Sequence, residues 1–327
     1  MTLHISEAEV RKVLTMPMAL DAVEEISRKE AEGEVVVHPR RRFELPGGGF
    51  FHHMAAADFK AGFIAMKQYT FVKGRLKFLV PLYEIATGDL VALIEADRMG
   101  QLRTGAASGV ATKYLSREGA RTAAMIGTGG QARTQLEAIA AVRRLQAVRA
   151  YGPDSAKREK FCKEMSEKIG ISVLPAASSK EAIEGADLVV TSTTSAHPVV
   201  FGADLARGAH VNAIGANHAH KRELDDEAVG KASVIVVDSV EQSKQEAGDL
   251  ILAFQGDENR WGNVKRLCDL VSGKTTGRTS DDQVTVFKSN GIASWDLAVA
   301  MRVYALARAQ KLGRELPLWE GAGASGD

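Results

Sequence analysis

The sequence predicts an α/β protein in which a doubly wound parallel sheet follows an α+β segment that has a sheet of its own. Two patterns carry this. From Arg121 onward, short apolar β-rich runs alternate with helix-forming stretches, the rhythm of parallel strands covered by helices on both faces. Between Val35 and Glu95, β-rich runs succeed one another through short links with no helix between them, as in a mostly antiparallel sheet.

In the leading segment, Ser6 and Glu9 have capping-box spacing, and Pro17 suits the first turn of a helix that ends near Gly33. Strands are expected over residues 35–38, 49–54, 63–71, 79–85 and 90–95, with Thr87-Gly88-Asp89 as the turn between the last two. A helix over 98–115 is rich in Gly, Ala and Ser, so backbone or ligand can approach it closely. The parallel sheet is expected from strands at 122–126, 148–151, 172–174, 188–192, 210–214 and 234–238, with helices such as 154–169 and 180–185 between them, and a final strand is expected at 284–287. Residues 248–281 read as a polar loop and 293–310 as a long amphipathic helix whose apolar face must be buried. If that helix returns to the leading segment, the first domain comprises 1–116 together with 292–318, and the second comprises 117–291. Residues 321–327 read as a disordered tail.

A chain of 327 residues suggests about two domains. With 42 basic and 41 acidic residues, a net charge of +1 and no basic stripe, neither nucleic acid nor an anionic membrane is expected as the main partner. The start of the chain is polar, and no apolar run has the length of a membrane helix. Cys162 and Cys268 lack C-x-x-C spacing, consistent with idle thiols in a reducing cytoplasm.

The most specific local signal is Gly127-Thr128-Gly129-Gly130-Gln131-Ala132, which joins an apolar strand to a helix. Gly127 allows a tight turn, Gly129 lets backbone approach a pyrophosphate, and Ala132 lets the helix pack on the strand. The helix start offers free N–H groups to the anion. This is the fingerprint of a Rossmann dinucleotide site. The acid that grips the adenosine ribose in NAD enzymes is missing after Tyr151, while Ser155, Lys157 and Arg158 lie close by. That pattern favours NADP over NAD, although Lys157 and Arg158 can equally be solvated helix charges. Thr191, Ser192 and Thr193, at the end of the fourth parallel strand, are expected beside the nicotinamide, or else are plain strand-end hydroxyls.

Three cationic positions sit in unusual surroundings. Lys67 interrupts an apolar strand, Arg103 lies on the small-residue helix, and Arg40-Arg41-Arg42 ends another strand. A buried cation must meet an anion, and two arginines with a lysine near a nicotinamide suit a small carboxylate. The other reading of each is a surface cation. His218 and His220 flank a later loop without a third metal ligand in view, so no metal is expected.

Over nearly its full length the sequence resembles the ornithine cyclodeaminase/mu-crystallin family. The resemblance rests on Pro39-Arg40, Met54, Met66-Lys67, the run Arg103 to Ser108, the glycine turn, the run Asn212 to Ala216, the run Arg222 to Asp225, the run Val237 to Ser239, and the run Phe287 to Gly291. It implies a homodimer whose first domain supplies substrate pocket and dimer interface, beside a Rossmann domain. It also implies hydride transfer between a nicotinamide and an amino- or imino-acid carbon. Arg40, Lys67 and Arg103 match the positions that hold the substrate carboxylate, with Lys67 as proton carrier and Arg42 an alternative to Arg40. Asn217 stands where ornithine cyclodeaminases carry an aspartate, which disfavours cyclodeamination and favours an NAD(P)H-dependent imine reductase or amino-acid dehydrogenase. The rivals are ornithine cyclodeaminase itself and a mu-crystallin-like ligand-binding protein, to whose large aromatic ligand a chain with 6% aromatic residues lends little support. Met54, Tyr69, Val80 and the loop after Gly215 are expected to shape the pocket.

Overall fold

The computed structural model describes residues 1–318. The chain opens with β1 (Thr2–Ile5), α1 (Glu7–Val13) and α2 (Met16–Glu32). Then come β2 (Val35–Glu44), β3 (Phe50–Asp58), β4 (Phe63–Val72), β5 (Arg75–Glu84), β6 (Leu90–Glu95) and α3 (Asp97–Leu115). The alternating region holds β7 (Thr122–Ile126), α4 (Gly130–Val142), β8 (Ala147–Tyr151), α5 (Ser155–Ile169), β9 (Val173–Pro175), α6 (Ser179–Ile183), β10 (Leu188–Thr191), β11 (His210–Ala213), α7 (Asp226–Lys231) and β12 (Ala232–Val237). The rest comprises α8 (Val240–Glu246), α9 (Gly248–Phe254), α10 (Glu258–Gly262), β13 (Lys265–Arg266), α11 (Leu267–Val271), β14 (Val284–Lys288), α12 (Ala293–Ala309) and β15 (Arg314–Leu316).

Two sheets result. The first has the order β15-β1-β6-β5-β4-β3-β2, antiparallel except where β1 lies parallel to β6. The second, β13-β12-β14-β11-β10-β7-β8-β9, is parallel throughout. In it β7 lies between β8 and β10, so strand order reverses at the glycine turn, where open α/β sheets bind ligands. Strand β1 and the edge strand β15 were not anticipated; at four and three residues they are too short for alternation to register.

Local chemistry explains the boundaries. The Ser6 backbone N–H donates to Glu9 Oε2 at 2.8 Å, and α2 stops at Gly33, whose φ of 82° is the left-handed C-cap conformation. The small residues of α3 admit another helix: a Cβ on Gly105 would lie 2.4 Å from the Thr134 carbonyl oxygen, so α3 and α4 pack backbone to backbone. Helix α12 lies against α2, α3, β3 and β4, burying Trp295, Leu297, Val299 and Val303. Each such side chain contributes about 1.5–3 kcal/mol.

The polar loop expected over 248–281 is instead threaded by α9, α10, β13 and α11, which bury Leu250, Phe254, Trp261, Leu267 and Leu270. Its helices have seven, five and five residues, too few turns to show a periodic stripe. The tail expected at 321–327 lies outside the described residues.

Candidate active site

A cleft of about 520 Å³ opens where the C-terminal ends of β7, β10, β11 and β14 face β3, β4, β5 and the start of α3. It draws its walls from both sheets.

On the nucleotide side, Gly127 has φ 106°, and a Cβ there would lie 2.6 Å from the Ser192 carbonyl oxygen. Gly129 is the N-cap of α4, and a Cβ on Gly129 or Gly130 would meet nothing within 4 Å. The turn thus leaves an open cradle before free helix N–H groups, which fits a pyrophosphate. Ala132 is fully buried beneath it, and Gln131 lines the cleft. Thr128 packs its hydroxyl against Gly152, where a Cβ would be 2.7 Å away. Ser192 and Thr193 line the cleft, and the buried Ser192 Oγ has no hydrogen-bond partner among the described residues.

Thr191 does not face the cleft. Its hydroxyl donates to Glu223 Oε2 at 2.8 Å, so its expected place beside the nicotinamide is corrected. The buried Glu223 also accepts the N–H groups of Gly215 at 2.7 Å and Thr193 at 2.7 Å, tying the ends of β10 and β11 together. Behind it, Lys288 Nζ lies 2.9 Å from Asp249 Oδ2, with both side chains fully buried, and Asp249 Oδ1 accepts the Glu223 N–H at 2.6 Å. This network fixes the loop that carries Asn217 and His218, both of which line the cleft.

At the adenosine end, Asp154 caps α5 by accepting the Lys157 N–H at 3.0 Å, and its carboxylate is 3.3 Å from Lys157 Nζ. Arg158 Nη1 donates to the Gly152 carbonyl at 2.6 Å and its guanidinium lies 5.8 Å from the Tyr151 ring centroid. Ser155 is exposed.

The opposite wall holds the cations. Lys67 and Arg103 are both buried and share one oxygen: Asp296 Oδ1 lies 3.0 Å from Lys67 Nζ and 3.1 Å from Arg103 Nε. Gly100 makes room for the lysine, since a Cβ there would stand 3.1 Å from Lys67 Nζ. Burial, then the neighbouring Arg103, pushes the Lys67 ammonium down to about 8. Arg40 Nη1 donates to Glu246 Oε2 at 2.7 Å and its Nη2 to the Asn290 carbonyl at 2.6 Å. Asp238 in turn holds that loop, accepting from the N–H of Asn290 at 2.7 Å. Arg40, Lys67 and Arg103 all line the cleft; Arg42 does not, and lies 5.8 Å from the Phe50 ring centroid.

A bulge separates the two arginines. His38 pairs with Ala55 but Arg41 pairs with His53, so β2 carries one extra residue there, and Arg40 turns inward out of the strand's alternation. Tyr69 lines the cleft as expected, whereas Met54 and Val80 are packed into the core. His218 is half-buried, while His220 is exposed.

Sequence reasoning missed Asp296, Glu246 and His52. Asp296 lies 229 residues from Lys67 in sequence and carries no motif, so nothing local marks it. Two cations against one carboxylate leave an excess positive charge in a buried site. Arg103 Nη1 and Arg40 Nε, both buried, have no partner among the described residues. Such a site is completed by a small anion with two acceptor oxygens.

The chain is similar over most of its length to proteins of known activity. A Δ1-pyrroline-2-carboxylate reductase of Bacillus cereus is 37% identical over 245 residues, 75% of each chain. The solved Thermococcus litoralis Δ1-pyrroline-2-carboxylate reductase, in complex with NADH and L-proline, aligns with a TM-score of 0.92 and 33% identity, covering 96% of this chain and 100% of that one. An archaeal alanine dehydrogenase dimer with bound NAD aligns with a TM-score of 0.91 and 33% identity, covering 97% and 99%. Residues 2–311 match the family's own pattern, and the chain belongs to the ornithine cyclodeaminase/mu-crystallin family.

Proposed function

We propose that this protein reduces a small 2-imino acid, a cyclic ketimine of the pyrroline-2-carboxylate kind, to the 2-amino acid with NADPH. Its class is an NAD(P)H-dependent oxidoreductase of the C–N bond of imino and amino acids, as its relatives are. The observation that carries the reading is the pair of buried cations, Lys67 and Arg103, on one carboxylate across the cleft from the glycine turn.

Arg103 Nη1 and Arg40 Nε grip the substrate carboxylate, and their fixed forks orient the imine carbon. The nicotinamide, when bound, supplies the hydride. Lys67 Nζ, at about 8, is protonated at neutral pH and gives its proton to the substrate nitrogen. Asp296 holds Lys67 and Arg103 in register, and Glu246 holds Arg40. Asn217, in the cleft, can donate a hydrogen bond but cannot neutralise an ornithine ammonium, which supports a reductase over a cyclodeaminase.

NADPH is preferred because no acid ends β8, Asp154 is engaged as a helix cap, and Ser155 and Lys157 stand exposed where a 2′-phosphate would lie. The protein works in the cytoplasm, and both cysteines are buried and free. Among the described residues no helix is long and apolar enough to cross a membrane. It works as a homodimer through the outer face of the first sheet, where Val36, Phe43, Ile64, Met66 and Val72 are exposed.

The test is NADPH and NADH consumption across keto acids with ammonia or methylamine, preformed cyclic imines, and ornithine. Lys67→Ala should lower turnover of an active imine by about 10²–10⁴-fold while NADPH still binds. Wild-type turnover in that variant, or proline formed from ornithine without net cofactor consumption, refutes the reading.

A further inference from the structure

His52 belongs to none of the roles above, yet it stands in the same cleft as Lys67. Strands β3 and β4 pair so that His52 lies opposite Tyr69 and Met54 opposite Lys67. Tyr69 and Lys67, two positions apart, therefore present to the same face, roughly 7 Å apart along the strand. His52 is 2% exposed, its ring stacks on Phe50 with centroids 4.2 Å apart, and its Nδ1 lies 2.6 Å from the Tyr69 hydroxyl. Its other nitrogen, Nε2, is buried with no partner among the described residues.

A buried imidazole with one nitrogen bonded and the other free is a polar group awaiting an acceptor or donor. The charge state narrows the choice. Burial first, then Arg42 and Arg40, pushes His52 down to about 3, so it stays neutral at any working pH. The same guanidiniums oppose an ammonium at this place. When the Tyr69 hydroxyl donates to Nδ1, Nε2–H is a donor; in the other tautomer Nε2 is an acceptor. A hydroxyl satisfies either. Phe50, Leu76 and Phe78 complete the wall around it, which suits a compact carbon ring.

We propose that the preferred substrate is a ring-hydroxylated cyclic imino acid, and that His52 Nε2 hydrogen-bonds the hydroxyl on the side of the ring remote from the carboxylate. This rests on the reading of the cleft as an imino-acid reductase site and specifies its substrate class. The carboxylate is held by the two arginines and Lys67 faces the ring nitrogen, while His52, opposite Tyr69 and two positions along the sheet from Lys67, lies on the remote side of the ring. His52 and Tyr69 act here as specificity residues and take no part in proton transfer.

The experiment compares kcat/KM of the full-length enzyme for Δ1-pyrroline-2-carboxylate, its 4-hydroxy derivative, and an open-chain dicarboxylic imine, all with NADPH. The wild type should favour the hydroxylated ring over the plain ring by at least about tenfold, equivalent to about 1.4 kcal/mol. In His52→Phe that ratio should fall towards one, and Tyr69→Phe, which frees the imidazole to turn, should lower it by a smaller factor. Calorimetric binding of L-proline and 4-hydroxy-L-proline to the wild-type enzyme with oxidised cofactor should show the same preference without any variant. A wild type that favours the plain ring or the dicarboxylic imine, or a His52→Phe enzyme that keeps the ratio, overturns the proposal. Turnover of none of the three, with alanine or another acyclic amino acid oxidised instead, sinks the cyclic-imine reading on which it stands.

Discussion

Replacing Asp296 by asparagine removes the single carboxylate that Lys67 and Arg103 share, and it tests the proton-carrier role directly. Asp296 Oδ1 is 3.0 Å from Lys67 Nζ. At an effective dielectric constant of about 20, that pair is worth at most ~5.5 kcal/mol, or about four pK units. Relaxation and water entry reduce this, so Lys67 should drop by about two to four units from its value of about 8. At pH 7.5 about three quarters of the wild-type lysines carry the proton, against no more than about 3% in the variant. Activity that needs the ammonium form is lost as pH rises through this value. The basic limb of the kcat and kcat/KM profiles for imine reduction, measured between pH 5 and 10, should therefore move from about 8 to below about 6. A limb that stays near 8 in Asp296→Asn refutes the assignment of Lys67. Stability gives an independent check. The folded-state value of Lys67 lies below its ordinary 10.5, so the unfolded chain binds the proton more tightly. This group therefore destabilises the fold fully below pH 8, and the penalty fades as pH rises towards 10.5. Denaturant midpoints of Lys67→Met should lack that rise.

Arg103→Lys keeps the charge but loses the fork, so KM for the imino acid should rise at least about tenfold in steady-state assays; an unchanged KM removes Arg103 from carboxylate binding. Gly127→Ala places a methyl group against the Ser192 carbonyl at a φ of 106°, a strain of about 1–3 kcal/mol. Fluorescence titration should show NADPH affinity weakened by tenfold or more, and undiminished affinity would mean that the turn does not set the cradle. Ile64→Lys with Met66→Glu puts charges on the exposed apolar face of β4. Sedimentation velocity should then show a dimer for the wild type and a monomer for the variant, and a dimer persisting in the variant places the interface elsewhere.

The parallel strands were legible in the sequence because buried strands of four to six residues, separated by helices, write a strong pattern. The glycine turn was legible because its backbone demands exclude most side chains. Lys67 and Arg103 stood out as charges in apolar company. What pairs with them did not, because Asp296 reaches them only through the return of α12, and a lone acid on an apolar helix has many possible fates. Arg40 could not be told from Arg42 by alternation, since the bulge at Pro39-Arg40 contains the first and precedes the second, breaking the period between them. Thr191 misled for the opposite reason: its position at a strand end was read correctly, but the buried Glu223 that claims its hydroxyl comes from a distant loop.

The placement of Asp296 has a consequence for biosynthesis. The second sheet can close as soon as β14 emerges, but until α12 follows it the ammonium of Lys67 and the guanidinium of Arg103 have no counter-ion to be buried with. Formation of the cleft's cationic wall thus waits for α12, after the second sheet is complete. A nascent chain stalled before Ala293 would display a finished nucleotide fold beside an unassembled substrate wall, a state for chaperones to shield rather than a working enzyme.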